Sequence, residues 1–186
     1  MKTTPTDIHL AHLFYDILIA HAQAYPGKAI RYKDLIGTAK VAHPNDEAVQ
    51  MSIPVSLGRR LELIVQFTRE NQLPPLTCVV VNDTGRPGNS YKNIHGSWEA
   101  DLDAVALYDW SAWAGRWNLF VEAEKKKTVP VKRRTDDAAR QLVHQEFKAG
   151  NLPRLELLAK EQLVELLKDG LPFEDAYAEL LEMAQA

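Results

Sequence analysis

The sequence predicts an α+β chain, in which helices lead into one β-hairpin and a small α-helical module follows. Three observations point there. Apolar residues recur at helical spacing near the start and again over 55–71. A short β-branched run, Leu76-Thr-Cys-Val-Val-Val81, stands between Pro74-Pro75 and the turn residues Asn82-Asp83-Thr84-Gly85. Beyond residue 135, three more helical patterns are separated by glycine-containing breaks.

Thr6 or Asp7 can cap a first helix to about Ala24, with Leu10, Leu13, Phe14, Ile17 and Leu18 on one face. Tyr25-Pro26-Gly27 stops it. Residues 28–32 read as a short strand or extended entry, and 32–36 as a short helix ended by Gly37. The polar stretch 38–54, broken by Pro44-Asn45-Asp46 and Pro54, reads as a loop with at most one helical turn. From Val55 to Asn71, Leu57, Leu61, Ile64, Val65 and Phe67 restore a helix with one buried side, and Gly58, Arg59, Glu62, Gln66 and Arg69 are placed toward the other.

Residues 76–91 then form the hairpin, with Arg86-Pro87-Gly88-Asn89 prolonging its tip before Ser90-Tyr91. Trp98, Trp110, Trp113 and Trp117 are expected to pack as a helix across the core, because buried aromatic rings dominate core energetics. Asn118–Ala123 looks strand-like. Lys125-Lys-Lys-Thr-Val-Pro-Val-Lys-Arg-Arg134 reads as an exposed basic linker, and Thr135-Asp136-Asp137 opens the first of three final helices. The expected division is 1–122 for the α+β domain, 123–134 for the linker and 135–186 for an acidic helical module.

The formal net charge of −3 conceals polarity along the chain. Residues 1–98 carry ten basic against eight acidic groups, 125–134 six basic and no acidic, and 135–186 five basic against eleven acidic. Such polarity bears on partners, not on fold. A lone cysteine, Cys78, builds no disulfide framework within the chain and suits a reducing compartment. The opening residues Met-Lys-Thr-Thr-Pro-Thr-Asp carry no apolar run of signal-peptide type, so the cytoplasm is the expected location.

The order of elements carries a resemblance. A helix, Tyr25-Pro-Gly-Lys-Ala-Ile-Arg-Tyr32 with Leu35, an amphipathic helix with Leu57-Gly58-Arg59-Arg60, then Leu73-Pro74-Pro75 and Asn82-x-x-Gly85 resemble the winged helix-turn-helix domain of alkyltransferase-like proteins and alkylguanine-DNA alkyltransferases. The similarity spans roughly residues 8–91 and makes the hairpin the wing. It implies DNA binding. The active transferases place a reactive cysteine in a Pro-Cys-His-Arg run, whereas this chain has Pro74-Pro75-Leu76-Thr77-Cys78-Val79. A nucleophilic cysteine needs a basic neighbour or a helix N-terminus to lower its pKa. Cys78 reads instead as a buried structural thiol, and alkyl transfer is not expected. The chain also resembles bacterial and mobile-element proteins with a Leu-Pro-Pro-Leu-Thr and Val-Asn-x-x-Gly-x-Pro-Gly signature.

The leading expectation is a non-enzymatic DNA-binding or DNA-associated regulator, without a cofactor. Arg59, Arg60, Gln66 and Arg69 would face base edges and phosphates from the 55–71 helix; Arg86 at the wing tip and Lys92 beyond it would reach the backbone of double-stranded DNA. Lys125, Lys126, Lys127, Lys132, Arg133 and Arg134 would either track phosphates or remain a solvated linker. Arg59-Arg60 can equally be a plain solvated face. A metal nuclease built on Asp109, Glu122, Glu124, Lys125 and Lys126 is a second candidate, and ligation by His9, His12 and Asp16 a third, with His21 too far along the helix to complete a compact set. The competing non-enzymatic expectation is an inhibitor, of phage or mobile-element type, that binds a host nucleic-acid-binding protein through the acidic helices, or a homodimer formed by them.

Overall fold

The computed structural model describes residues 3–88, 91, 94–128, 133–152 and 155–184, the side chains of 55 and 182–184 excepted. The chain divides into two compact units, Asp7–Lys127 and Met1–Thr6 with Thr128–Ala186. Both are built from helices. Among the described residues, no helix is long and apolar enough to cross a membrane.

In the 7–127 unit the order is α1 (Pro5–Ala24), β1 (Ile30–Arg31), α2 (Tyr32–Ala42), α3 (Glu47–Gln50), α4 (Leu57–Glu70), β2 (Val80–Val81), α5 (Trp98–Leu107) and α6 (Ala114–Lys127). Helix α1 buries Ile8, Leu10, Ala11, Phe14, Tyr15 and Leu18, and α4 buries Leu57, Leu61, Ile64 and Phe67. These faces meet the aromatic rings of the later helices. Tyr15 stacks on Trp117 with centroids 4.4 Å apart, while Phe67 meets Trp117 edge-on at 5.0 Å. Trp110 is buried and donates its indole N–H to the Val105 carbonyl at 2.9 Å, so its polar atom is satisfied inside the core.

The expected α+β, winged helix-turn-helix-like domain is corrected here: the chain is mostly helical, and its described strands are two short parallel ones. Leu76–Val79 is a 3-10 turn, closed by the Cys78 amide on the Pro75 carbonyl at 2.7 Å. Val80–Val81 alone is extended, and it pairs with β1, Ile30 opposite Val80 and Arg31 opposite Val81. The return arm of the expected hairpin contributes a single antiparallel bridge between Val81 and Pro87. The reason is burial. Leu76, Cys78, Val79, Val80 and Val81 all lie inside the core, and an apolar run buried on all sides does not distinguish strand from helix by its pattern.

Three other stretches differ from expectation. Helix α2 runs through Gly37 to Ala42, and α3 follows where a loop was expected, its amide at Val49 capped by Asp46 at 3.0 Å. Residues 98–121 form α5, a 3-10 turn at Trp110–Trp113 and the start of α6 rather than one helix. The strand-like Asn118–Ala123 lies within α6, which also takes up Lys125–Lys127.

The other unit holds α7 (Asp136–Lys148), α8 (Leu157–Lys168) and α9 (Phe173–Ala184). Thr135 caps α7 through the Ala138 amide at 3.3 Å. Ala139, Val143, Leu163, Val164, Leu166, Leu167, Ala176 and Leu180 are buried. Arg140 of α7 donates to both carboxylate oxygens of Glu161 on α8, each at 2.7 Å, an exposed bidentate pair between the two helices.

Candidate nucleic-acid interface

The two arginines expected on an exposed recognition face are inside the protein. Arg59 and Arg60 are 4% and 2% exposed. Arg59 Nη2 lies 3.4 Å and Arg60 Nε 3.7 Å from Asp7 Oδ1, in the first turn of α1. Helical phase explains it: Arg60 stands three residues after Leu57 and four before Ile64, on the core side of α4, while Arg59 flanks that side. Burying a guanidinium without a carboxylate costs several kcal/mol, so the Asp7 carboxylate helps make this inward placement tolerable. The expectation that these two side chains reach nucleic acid is therefore corrected.

The remaining cations have varied surroundings. Gln66 donates to Glu70 at 2.9 Å, and Arg69 is exposed. On α6, Lys125 pairs with Glu122 at 2.8 Å and Lys127 with Glu124 at 2.6 Å, both exposed helical pairs of small energetic weight; Lys126 is exposed. Arg133 reaches Asp169 at 3.4 Å. Arg134 Nη1 donates to the carbonyls of Leu167 and Leu171 at 3.0 and 2.7 Å, and its amide to Lys168 at 3.1 Å, so it caps the end of α8. Lys92 and Lys132 lie outside the described residues.

Arg86 stands on a turn that is tied to itself. The Asn82 side-chain oxygen accepts from the Thr84 amide at 3.0 Å, the Thr84 hydroxyl at 2.6 Å and the Arg86 amide at 3.0 Å. The Asn82 amide donates to the Arg86 carbonyl at 2.8 Å, and Gly85 takes the positive φ of 80° that closes the bend. Arg86 is exposed on this scaffold. The pairing of β1 with β2 sets the start of α2 beside the same turn, with Arg31 and Lys33 exposed and Lys33 Nζ 3.6 Å from Asp83. Tyr32, between them, packs on Gly88 so closely that a Cβ there would stand 2.8 Å from its hydroxyl. Burial raises the Tyr32 phenol and keeps it neutral.

A second cluster, which the sequence did not disclose, lies just beyond the turn. Asp101 of α5 is fully buried. Its carboxylate accepts from the Tyr91 hydroxyl, from the amides of Ile94 and His95 at 3.0 Å each, and from His95 Nδ1 at 2.6 Å. Burial acts to raise its pKa, but these hydrogen bonds outweigh it and hold the group below the usual carboxylate range. Close by, the Trp98 indole donates to the Cys78 carbonyl at 2.8 Å. Burial first, and the charge of Asp101 next, push the Cys78 thiol up to about 12. A thiol so protonated is a poor nucleophile.

The metal candidates do not assemble. Asp109 spends its carboxylate on the Ser111 amide and hydroxyl at 3.1 and 2.5 Å, while Glu122 and Glu124 face lysines on α6. His9 pairs with Asp46 at 2.6 Å, His12 meets the Trp117 ring edge-on and His21 bonds the Lys28 carbonyl at 3.0 Å. Among the described residues, no three His, Cys, Asp or Glu side chains are grouped to hold a metal ion. No protein-family model, no curated protein and no solved structure matches the chain.

Proposed function

We propose that the chain is a non-enzymatic DNA-associated protein whose 7–127 unit contacts the duplex backbone through Arg31, Lys33 and Arg86. The observation that carries this is the self-tied 82–88 turn, which presents an exposed guanidinium beside the exposed cations at the start of α2. A guanidinium on a rigid turn loses less freedom on meeting a phosphate than one on a floppy loop. Contacts of this kind position a protein on DNA without reading its sequence. Arg69 and Lys126 add exposed positive charge on the same unit, and Arg59 and Arg60 serve the core instead.

Fluorescence anisotropy with a labelled duplex, repeated across a salt series, tests the reading. Affinity should fall with salt at a logarithmic slope of roughly −0.9 for each phosphate neutralised. Replacing Arg86 by alanine should weaken binding and make the slope shallower by about one contact. A salt-independent signal, or one indifferent to Arg86, Arg31 and Lys33 together, sinks the proposal.

A second reading, a protein-binding inhibitor acting through the helices after residue 135, is favoured by one observation. Leu157 and Leu158 at the start of α8 are 76% and 70% exposed, and Phe147 near the end of α7 is also exposed. Large apolar groups in water are the usual material of protein contacts. Light scattering of the full chain and of a Leu157→Ser, Leu158→Ser variant tests self-association, and a mass indifferent to these changes removes the homodimer.

A further inference from the structure

We propose that His95 is a protonation-controlled phosphate contact, which makes the grip of the 7–127 unit on DNA dependent on pH; this rests on the DNA-associated reading above. His95 Nδ1 is held 2.6 Å from the buried Asp101 carboxylate, so in the neutral ring that nitrogen carries the proton. The side chain is nevertheless 43% exposed. A second proton therefore adds at Nε2, across the ring from the tether, where no described residue makes a hydrogen bond to it.

The consequence for an anionic ligand is sharp. Phosphate oxygens are acceptors, so the lone pair of a neutral Nε2 offers them nothing, and the Asp101 charge behind the ring opposes them. Once protonated, the ring cancels that charge and turns an N–H donor outward, a charge-assisted hydrogen bond in waiting. Other groups around the ring do not change state between about pH 5 and 8. From α5 these include Asp101, held below the usual carboxylate range; from the preceding segment, Tyr91; and from the 76–79 turn, Cys78. Burial keeps the phenol and the thiol protonated. Histidine is the side-chain type that titrates in this range.

Tyr91 joins this device to the proposed interface. Its amide donates to the Gly88 carbonyl at 2.9 Å, at the foot of the turn that carries Arg86, and its hydroxyl donates to Asp101. The tether of His95 and the base of the Arg86 turn thus share one residue.

The test is anisotropy with a labelled DNA duplex at constant ionic strength, at about pH 5.5 and about pH 7.5. The full chain should bind roughly ten-fold more tightly at the lower pH. His95→Gln should bind equally at both, near the weaker level of the parent; His95→Asn replaces it if the glutamine variant does not fold. Arg86→Ala should be weaker at both pH values with the ratio kept, and His9→Gln should keep both affinity and ratio. A ratio that survives in His95→Gln overturns the proposal, as does binding that needs Arg86 but is flat with pH, a result that leaves the DNA-associated reading standing. Absence of duplex binding at either pH overturns both.

Discussion

Asp7, in the first turn of α1, and Arg60, on the core side of α4, are buried together, with 3.7 Å between Oδ1 and Nε. The contact joins the start of the unit to its central helix. Removing one member leaves a guanidinium or a carboxylate in the core, whereas an isosteric apolar exchange removes the charge along with its cost. Asp7→Ala is expected to lower stability by about 3–5 kcal/mol, and Arg60→Met by clearly less than Asp7→Ala. Urea unfolding followed by tryptophan fluorescence checks both, and equal losses would refute the assignment.

Asp101 gives stability a pH signature. Its folded pKa is depressed, so its contribution is fully present above the ordinary carboxylate value of 3.8 and is lost as pH falls through the lower folded value. Asp101→Asn is expected to cost about 1–3 kcal/mol at neutral pH, through weaker acceptance from Tyr91, Ile94 and His95. The gap between parent and variant should close below about pH 4. Thermal melts across an acid series measure it; a gap that stays constant to pH 2 contradicts the hub.

Trp117 separates volume from polarity. It is 1% exposed, and its indole N–H has no hydrogen-bond partner among the described residues. Trp117→Ala should cost about 3–5 kcal/mol, because it opens a cavity against Tyr15, Phe67 and Phe120. Trp117→Phe keeps the stacking and removes a buried donor, so its cost should fall below about 1.5 kcal/mol. Chemical denaturation of the two variants decides, and a phenylalanine variant as unstable as alanine would show that the N–H is bonded.

The closeness of Gly88 and Tyr32 predicts a rescue. A methyl at 88 would meet the Tyr32 hydroxyl at 2.8 Å, a contact the ring must yield to. Gly88→Ala should lose about 1 kcal/mol, and adding Tyr32→Phe should restore most of it, since the clashing oxygen is gone. A double-mutant cycle on melting temperature reads the coupling, which additivity would rule out.

The apolar skeleton was legible. Leu10, Phe14 and Leu18 on α1, and Leu57, Leu61, Ile64 and Phe67 on α4, repeat at a helical period because each helix buries one side. Arg60 has the same phase, but its charge argues for an outward face, and the distant Asp7 helps explain why it turns in. Leu76–Val81 differs for another reason: its β-branched residues favour a strand, yet only Val80–Val81 is extended, and Leu76–Val79, directly after two prolines, is a largely buried 3-10 turn whose apolar run does not tell strand from helix. Of the proposed interface, Arg86 was read from the turn residues around it, while Arg31 and Lys33 emerge only from the pairing of β1 with β2. His95 and Asp101 lie six apart with no period to betray them, and Trp98, between them, bonds Cys78 twenty residues earlier in the sequence.

Arg134 touches both the last turn of α8 and the segment leading into α9, at Leu167 and Leu171. The chain from 134 to 171 is thereby latched at its base like a noose, with α7 and α8 as the two sides. A single cut in the connection between these helices would leave two pieces still hooked together at the opposite end.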